Sequence, residues 1–207
     1  MDISGIILAG GKSSRMGVNK ALLHINGVPA IQRIKDVVQG LVSELLLATN
    51  EKDMYEFLGG RIVGDIVKDK GPLSGIHSGI HASATDRNLV VACDLPFLSR
   101  PVTAELIRIA ANVNADAVVP IIKGKIHPLF AVYRSTILPE AERALENNRL
   151  KMLDLLRSLA VYEVTEKDFL RGGVEEALIQ RAFFNMNCPE DYERAVAEEA
   201  KLTARKA

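Results

Sequence analysis

A glycine-rich segment close to the N-terminus carries the residues best suited to chemistry on phosphates. Gly10 and Gly11 are adjacent, and three cationic side chains follow them at Lys12, Arg15 and Lys20. Glycine leaves backbone N–H groups free to turn toward an anion, with no Cβ to keep the anion away. The pattern therefore predicts a phosphate-binding loop, with an ordinary structural turn between a strand and a helix as the alternative.

Two common phosphate-binding patterns do not fit this loop. The Walker A pattern, read back from Gly11-Lys12-Ser13, needs a glycine where the chain has Ile6. The dinucleotide pattern Gly-x-Gly-x-x-Gly fails because Gly10 and Gly11 are adjacent and Gly17 is too far away. An oxidoreductase that binds a dinucleotide is therefore the least favoured class of enzyme.

A carboxylate follows another strongly apolar segment, residues 89–93. If that segment is a strand, Asp94 lies at the carboxyl edge of the sheet, where open α/β sheets bind ligands. Mg²⁺ prefers one or two carboxylates together with phosphate oxygens. Asp94 is therefore the predicted metal ligand, and an aspartate that serves a turn or caps a helix is the alternative.

A helix is predicted to begin at Pro72, where free backbone N–H groups can meet an anion or a base oxygen. His77 and His81 are spaced i, i+4 on this helix. That spacing can bind zinc, but no HExxH motif and no third ligand accompany the pair, so a zinc site is not expected.

Apolar segments alternate with helical patterns along the chain, which predicts an α/β domain with a mostly parallel sheet. The continuous apolar run over residues 3–9 is typical of a strand buried on both faces. Gly124, between strands expected at 117–120 and 129–133, predicts a hairpin and some antiparallel pairing. We expect one domain over residues 1–200 and a frayed tail over 201–207. Other strands are expected at 45–48, 62–63, 89–93, 161–164 and 183–184.

Composition narrows the classes of function. The 26 basic and 26 acidic residues balance, so nothing draws the chain generally toward nucleic acid or membranes. Cys93 and Cys188 form no CxxC pair, and two cysteines are too few for a disulfide framework. No signal peptide and no apolar run of the ~18 residues that a membrane helix needs are visible. We expect a soluble, cytoplasmic protein and, in the absence of a long exposed apolar stripe, a monomer.

The glycine-rich segment closely resembles the signature loop of nucleotidyltransferases that activate a phosphorylated acceptor with a nucleoside triphosphate. The matching residues are Leu8-Ala9-Gly10-Gly11-x-Ser13-x-Arg15-Met16-Gly17-x-x-Lys20. The double glycine most resembles the molybdenum cofactor guanylyltransferases, whereas cytidylyltransferase relatives tend to have Ala-Ala-Gly. The family usually has Asp before the lysine, and this chain has Asn19.

The resemblance continues along nearly the whole chain. Gly71-Pro72-Leu73-x-Gly75 is similar to a family segment beside the nucleotide, and Cys93-Asp94-x-Pro96-Phe97 to the segment that carries the metal-binding aspartate. Asn185-x-Asn187-Cys188-Pro189 is similar to a segment near the acceptor phosphate, although Cys188 replaces the usual Thr or Ser. His127-Pro128-Leu129 is similar to a segment on the acceptor side, where a structural histidine is the alternative.

The resemblance implies a Rossmann-like, three-layer nucleotidyltransferase fold and assigns roles to individual residues. The implied catalytic residues are Arg15, Lys20 and Asp94, with Asp94 also the ligand of Mg²⁺, or of Mn²⁺ as a substitute. The implied nucleotide-binding residues are Leu8, Ala9, Gly10, Gly11, Lys20, Asn50, Asp65, Gly71, Pro72, Gly75 and Asp94. The implied acceptor-side residues are Asn185, Asn187 and His127.

Asp65 follows the strand expected at 62–63 and matches a nucleotide-contacting position of the family. A carboxylate can accept hydrogen bonds from the N1–H and N2–H₂ groups of guanine, which adenine and cytosine do not present in that pattern. A solvated loop aspartate is the alternative. Asn50, at the end of the second strand, is a further possible nucleotide ligand.

The implied reaction is transfer of GMP from GTP to the terminal phosphate of molybdopterin or Mo-molybdopterin, with release of pyrophosphate. Molybdenum cofactor biosynthesis proteins and apo-molybdoenzymes are the implied protein partners. Three alternatives stay open: CMP transfer to molybdopterin, nucleotide transfer to a sugar, polyol or cobinamide phosphate, and a non-catalytic GTP-binding adaptor.

Overall fold

The computed structural model describes residues 2–10 and 19–204. The strands in these residues are β1 (Ile3–Leu8), β2 (His24–Ile25), β3 (Val28–Pro29), β4 (Glu44–Ala48), β5 (Arg61–Val63), β6 (Arg87–Ala92), β7 (Ala117–Ile122), β8 (Lys125–Ile126), β9 (Phe130–Arg134) and β10 (Val161–Thr165). The helices are α1 (Ala30–Val38), α2 (Lys52–Tyr55), α3 (Pro72–Ala82), α4 (Arg100–Asn112), α5 (Leu138–Glu146), α6 (Met152–Leu156), α7 (Glu166–Arg171), α8 (Glu176–Ala182) and α9 (Pro189–Ala204). Short 3-10 turns cover Lys20–Leu22, Glu56–Leu58 and Ser135–Ile137.

Eight of the described strands form one sheet in the order β10-β7-β9-β6-β1-β4-β5, with β8 paired to β7. The central strand β1 runs parallel to both β4 and β6, and β5 continues the parallel set beyond β4. β9 runs antiparallel to β6 and β7, and β7 turns into β8 through a hairpin at Gly124. The predicted mostly parallel sheet with some antiparallel pairing is confirmed.

Side chains alternate between the two faces of a strand, and β1 is buried on both. Ile3 and Ile7 enter one core with α1, α4, α7 and α8, whereas Ile6 and Leu8 enter a second core with α3, α5 and α6. Burying one such side chain fully contributes about 1.5–3 kcal/mol relative to leaving it exposed. Helices therefore cover both faces of the sheet, which confirms the predicted three-layer α/β architecture.

Several elements differ from the sequence-based expectation. The strand predicted at 183–184 is wrong, because Phe183 ends α8 and packs its ring against Phe130 and Phe169 in the core. Two adjacent aromatic residues mark burial but do not distinguish a strand from a helix end. The helices α7 and α8 were not anticipated, although the capping box of Thr165 and Asp168 at the start of α7 is visible in the sequence.

The hairpin of β2 and β3 was also missed. Asn26 and Gly27 form its two-residue turn with φ angles of 52° and 77°. The tight hairpin turn that Asn-Gly favours requires a positive φ at both positions. This hairpin, Phe97, Met186 and Ala195 of α9 form a third small apolar cluster beside the sheet.

The last helix continues to Ala204, beyond the predicted start of a frayed tail at 201, and residues 205–207 lie outside the described part of the chain. Among the described residues, no helix has the length and apolar character needed to cross a membrane.

The contact between α3 and β1 yields a first prediction. A Cβ added at Gly79 would lie 2.6 Å from Cγ2 and 2.9 Å from Cδ1 of Ile6. We expect Gly79→Ala to lower the free energy of unfolding by roughly 1–3 kcal/mol, because overpacking outweighs the better helix propensity of alanine. Urea denaturation measures the change. The matched control on the exposed face of α3, His81→Ala, should stay within about 0.5 kcal/mol of the wild type; equal stability of Gly79→Ala and wild type would contradict the close packing.

Candidate functional site

Three parallel strands bring their carboxyl ends to one edge of the sheet. In the register of β1, Leu8 pairs with Ala48 of β4 and with Ala92 of β6. The segments that follow these strands carry Gly10, Asn50 and Asp94 respectively. The sheet topology alone therefore gathers Gly10 at the start of the predicted phosphate loop, the predicted nucleotide ligand and the predicted metal ligand at one edge.

Lys20 and Asp94 form an ion pair at this edge. Lys20 Nζ lies 3.4 Å from Asp94 Oδ2, and the two side chains are only 25% and 13% exposed. Partial burial weakens the solvent screening of both charges, so each exerts a stronger field here than on an open surface. Among the described residues, no donor forms a hydrogen bond with the other carboxylate oxygen, Asp94 Oδ1.

Asn19 holds the 3-10 turn that carries Lys20. Its Oδ1 accepts a hydrogen bond from Ala21 N at 3.1 Å, and its Nδ2 donates to the Tyr55 hydroxyl at 2.8 Å. Tyr55 is buried, and burial raises the pKa of this phenol above its ordinary value. The Asn19 amide is thus an acceptor for one partner and a donor to the other. Sequence reasoning missed Tyr55, because nothing in the local pattern pairs α2 with the glycine-rich segment.

The segment from Asn185 to Asn187 is tied to Asp94 through the backbone. Met186 N donates to the carbonyl oxygen of Asp94 at 2.9 Å, and Met186 is fully buried. The Asn185 side chain lies beside this contact, and its Oδ1 is 3.5 Å from Lys125 Nζ. The predicted acceptor-side segment therefore lies next to the predicted metal ligand. Lys125 is an additional cation at the site that the sequence analysis did not single out.

The Asp191 carboxylate holds the backbone at the start of α9. Asp191 Oδ2 accepts hydrogen bonds from Asn187 N at 2.9 Å and from Cys188 N at 3.2 Å. The bond from the Asn187 amide is the main reason that the pKa of Asp191 is below its ordinary value. A carboxylate in the first helical turn thus provides one half of a capping box, which holds Asn187 in place without a Ser or Thr.

His127 lies on the acceptor side as a buried, uncharged ring. Its backbone N donates to Pro120 O at 2.9 Å, and its ring meets the edge of Phe183 with centroids 4.7 Å apart. The pKa of His127 is lowered to about 4, mainly by burial and also by the Lys125 charge, while the Asp94 charge opposes the shift. This direction favours the neutral form of the ring.

A second cluster lies at the start of α3. A Cβ added at Gly75 would lie 3.1 Å from Leu8 Cδ2, 3.5 Å from Ala48 Cβ and 4.0 Å from Asp65 Oδ1, so glycine lets α3 pack closely on the ends of β1 and β4. Asp65 is bound to Asn50 by two hydrogen bonds of 2.8 and 2.9 Å. An ionised carboxylate held in this way can accept further hydrogen bonds from a ligand that carries donors.

Helix α3 begins as predicted. Pro72 is its first residue, and Gly71 before it has a φ of 65°, a conformation that favours glycine. Among the described residues, no atom lies within 4 Å of a Cβ added at Gly10, at the end of β1. Gly11, Lys12 and Arg15 lie outside the described residues.

The histidines of α3 do not form a metal centre with their neighbours. His77 is buried with its Nε2 3.5 Å from Glu142 Oε1, and His81 is exposed with its ring centroid 6.2 Å from that of His77. Over residues 2–10 and 19–204, no group of three or more His, Cys, Asp or Glu side chains could hold a metal ion.

The chain was compared with known proteins. The family model of the MobA-like NTP transferase domain matches residues 5–161. A protein of Pelotomaculum thermopropionicum named "Probable molybdenum cofactor guanylyltransferase" is 34% identical over 195 residues, which cover 94% of this chain and 92% of that protein. A protein of the same name from Carboxydothermus hydrogenoformans is 37% identical over 190 residues, 91% of this chain and 92% of the other.

Solved structures share the fold. The crystal structure of molybdopterin-guanine dinucleotide biosynthesis protein A from Archaeoglobus fulgidus superposes with a TM-score of 0.82 and 25% identity, covering 96% of this chain and 99% of that one. CMP:2-keto-3-deoxy-manno-octonic acid synthetase in complex with CTP superposes with a TM-score of 0.73 at 14% identity, over 98% of this chain and 100% of the other. The second likeness concerns the fold alone.

The burial of His127 generates a prediction about pH. Because its folded pKa of about 4 is below its ordinary value of 6.5, the unfolded chain binds more protons between these values. The contribution of the neutral His127 ring to stability is therefore complete above pH 6.5 and is lost as the pH falls toward 4. We expect the free energy of unfolding of the wild type to fall by up to about 3 kcal/mol more over this window than that of His127→Gln.

Urea denaturation at a series of pH values measures this difference in slope. His24→Gln removes an exposed histidine and should keep the wild-type slope. Parallel pH profiles of wild type and His127→Gln would show that the imidazole is not held neutral by burial.

Proposed function

The chain belongs to the MobA-like NTP transferase domain family and is a nucleotidyltransferase, and we propose that it transfers GMP from GTP to the terminal phosphate of molybdopterin. The observation that carries the proposal is the Lys20–Asp94 pair, at the edge where β1 and β6 end and where the Asn185 segment is bonded to Asp94. Relatives named as guanylyltransferases of the molybdenum cofactor support the choice of guanine and of a pterin acceptor.

The proposed reaction needs no general base. A phosphate monoester has a second pKa near ~6, so the acceptor is largely a dianion at neutral pH. Its oxygen forms a new bond to the α-phosphorus of GTP, the bond between the α-phosphorus and the bridging oxygen breaks, and pyrophosphate leaves with the electron pair. The protein must align two anions and offset their charge, which makes catalysis a matter of positioning and electrostatics.

Lys20 is the proposed cation for the triphosphate and for departing pyrophosphate. Its ammonium group is held by Asp94 on one side, and its turn is held by Asn19 on the other. The backbone N–H groups of Gly10 and Gly11 and the side chain of Arg15 are assigned to the same phosphates. For Gly11 and Arg15 this role follows from the resemblance of the loop to the family signature.

Asp94 is the proposed ligand of Mg²⁺, or of Mn²⁺ in its place. A single carboxylate with one oxygen unbonded among the described residues fits an ion that takes one or two carboxylates and completes its shell with phosphate oxygens and water. When bound, such an ion supplies positive charge that stabilises the charge developing on the transferred phosphate.

Asp65 is the proposed ligand of the base. Two hydrogen bonds with Asn50 hold its carboxylate just beyond the ends of β4 and β5. Its oxygens would accept from N1–H and N2–H₂ of guanine. Leu8 and Ala48 supply apolar contact to the base.

The acceptor is proposed to bind on the opposite side of Asp94. Asn185 and Asn187 supply amide groups there, and Lys125 supplies a positive charge beside Asn185. His127 borders this side of the site. Its ring is uncharged and packs against Phe183. Proteins of molybdenum cofactor biosynthesis and apo-molybdoenzymes are the proposed partners that deliver the pterin and receive the product.

The charged pair is tested by removing each partner. We expect Asp94→Ala and Lys20→Ala each to lower the rate of pyrophosphate release at least about a hundredfold, equivalent to about 3 kcal/mol of transition-state stabilisation. The assay supplies GTP, Mg²⁺ and molybdopterin. Circular dichroism and thermal unfolding check that both variants remain folded. Exposed residues of the same types serve as controls, since Asp53→Ala and Lys151→Ala should retain the wild-type rate; near-normal turnover by Asp94→Ala or Lys20→Ala would refute the assignment.

The nucleotide is tested by thermal unfolding with Mg²⁺ and each of GTP, CTP, UTP, ATP and dTTP. A ligand at 100 times its Kd stabilises the folded protein by about 2.7 kcal/mol. We expect a clear rise of the unfolding midpoint with GTP alone, and a smaller rise in Asp65→Ala. A rise with CTP instead would show that the bound base is cytosine rather than guanine, while the chain would still be a nucleotidyltransferase. GTP binding without pyrophosphate release on addition of molybdopterin would favour a non-catalytic adaptor.

A further inference from the structure

We infer that Tyr55 is a positioning residue for the transfer reaction, because its hydroxyl group fixes the turn from which Lys20 reaches the phosphates. This role rests on the proposed function, in which Lys20 binds the triphosphate and the departing pyrophosphate. Tyr55 acts through Asn19, the residue that precedes Lys20 in the chain. The hydrogen bonds of Asn19, the burial of the phenol ring and the Lys20–Asp94 ion pair together carry this role.

The Asn19 side chain connects the turn to Tyr55. Its Oδ1 accepts a hydrogen bond from Ala21 N at 3.1 Å, and its Nδ2 donates to the Tyr55 hydroxyl oxygen at 2.8 Å. The same nitrogen donates to Met54 Sδ at 2.9 Å, but a thioether is only a weak acceptor. The Tyr55 hydroxyl is therefore the stronger partner that keeps the amide oriented with its oxygen toward Ala21 N.

Tyr55 is a partner of fixed position because its ring is buried. Only 1% of the residue is exposed, and it belongs to the same apolar core as Ala21 and Cys93, the sequence neighbours of Lys20 and Asp94. Burial is the main reason that the pKa of the phenol is raised, so the hydroxyl keeps its proton at neutral pH. A neutral phenol anchored in the core thus holds Asn19 from the protein side.

The position of the turn matters because the Lys20 side chain is held only loosely at its far end. The distance of 3.4 Å from Lys20 Nζ to Asp94 Oδ2 is longer than that of a tight charge-assisted hydrogen bond. The four-carbon stem of lysine is also flexible. The backbone of the 3-10 turn, which Asn19 caps at Ala21 N, must therefore direct the ammonium group toward a bound phosphate.

A tyrosine can serve either an amide or a carboxylate at position 19. A hydroxyl group both donates and accepts, so it accepts from Asn19 and can donate to an aspartate in the same place. Asn19→Asp therefore keeps both hydrogen bonds and reverses the direction of one. Tyr55→Phe loses one of them with either residue at position 19, which separates the effect of the bond from that of an added charge.

The first test measures pyrophosphate release from GTP with Mg²⁺ and molybdopterin. We expect Tyr55→Phe to lower the rate about fivefold, because one hydrogen bond that orients Asn19 is lost. Asn19→Ala removes both bonds and should lower the rate at least as much. Tyr55→Phe should then add nothing to Asn19→Ala, and Asn19→Asp should retain more of the rate than Asn19→Ala does.

A combination with Lys20→Ala distinguishes positioning from general destabilisation. If the hydroxyl acts through Lys20, adding Tyr55→Phe to Lys20→Ala lowers the rate further by less than about 1.5-fold, since residues that act as one unit are not additive. An equal loss in both backgrounds, or an unchanged rate in Tyr55→Phe alone, would overturn the inference. Tyr162→Phe removes the hydroxyl of an exposed residue on β10 and should keep the wild-type rate. Thermal unfolding midpoints check that every variant is folded.

Binding of pyrophosphate with Mg²⁺ tests the same role without a base or an acceptor. We expect its Kd to rise about fivefold in Tyr55→Phe, and by less than about 1.5-fold when Lys20→Ala is already present. Absence of turnover by the wild type would refute the proposed function, whereas an unchanged Kd for pyrophosphate in Tyr55→Phe would refute the role of Tyr55. Failure of the wild type to bind pyrophosphate would refute both.

Discussion

The parallel pairing of β1 with β4 and β6 is the constraint on which the rest of the site depends. Parallel strands end at the same edge, so the residues after them meet there although they are far apart in sequence. Burial fixes this register, because a slip by one residue would exchange the side chains that β1 sends into its two cores. The same burial that stabilises the domain therefore sets the distance between Gly10 and Asp94.

Asp94 contacts both Lys20 and the segment around Met186, and it does so through different atoms. Its carboxylate faces Lys20 from the N-terminal segment, while its backbone oxygen accepts from Met186 near the C-terminus. The two contacts are thereby connected through a single residue at the end of a buried strand. In the proposed function, Asp94 lies between the nucleotide on one side and the acceptor on the other.

The sequence was sufficient for features that local chemistry determines. A buried apolar run ending in Asp94 and the adjacent glycines after β1 both predicted the site edge, and Pro72 predicted the start of α3. The sequence did not predict the hydrogen bonds of Asn19 with Tyr55 and of Asn50 with Asp65, because these depend on which strands are neighbours. The Asn26-Gly27 hairpin was readable from local turn chemistry and was overlooked.

The electrostatics of the site follow from its local composition. The chain as a whole carries no net charge, so it has no long-range field that draws anions in. Lys20 is offset by Asp94, Lys125 faces an amide, and His127 is kept neutral by burial. Two cations, Lys20 and Lys125, thus lie beside Asp94 and Asn185, the first partly buried and the second exposed. In the proposed function they offset the charge of two anions locally, and the charge of Lys20 is screened less because it is partly buried.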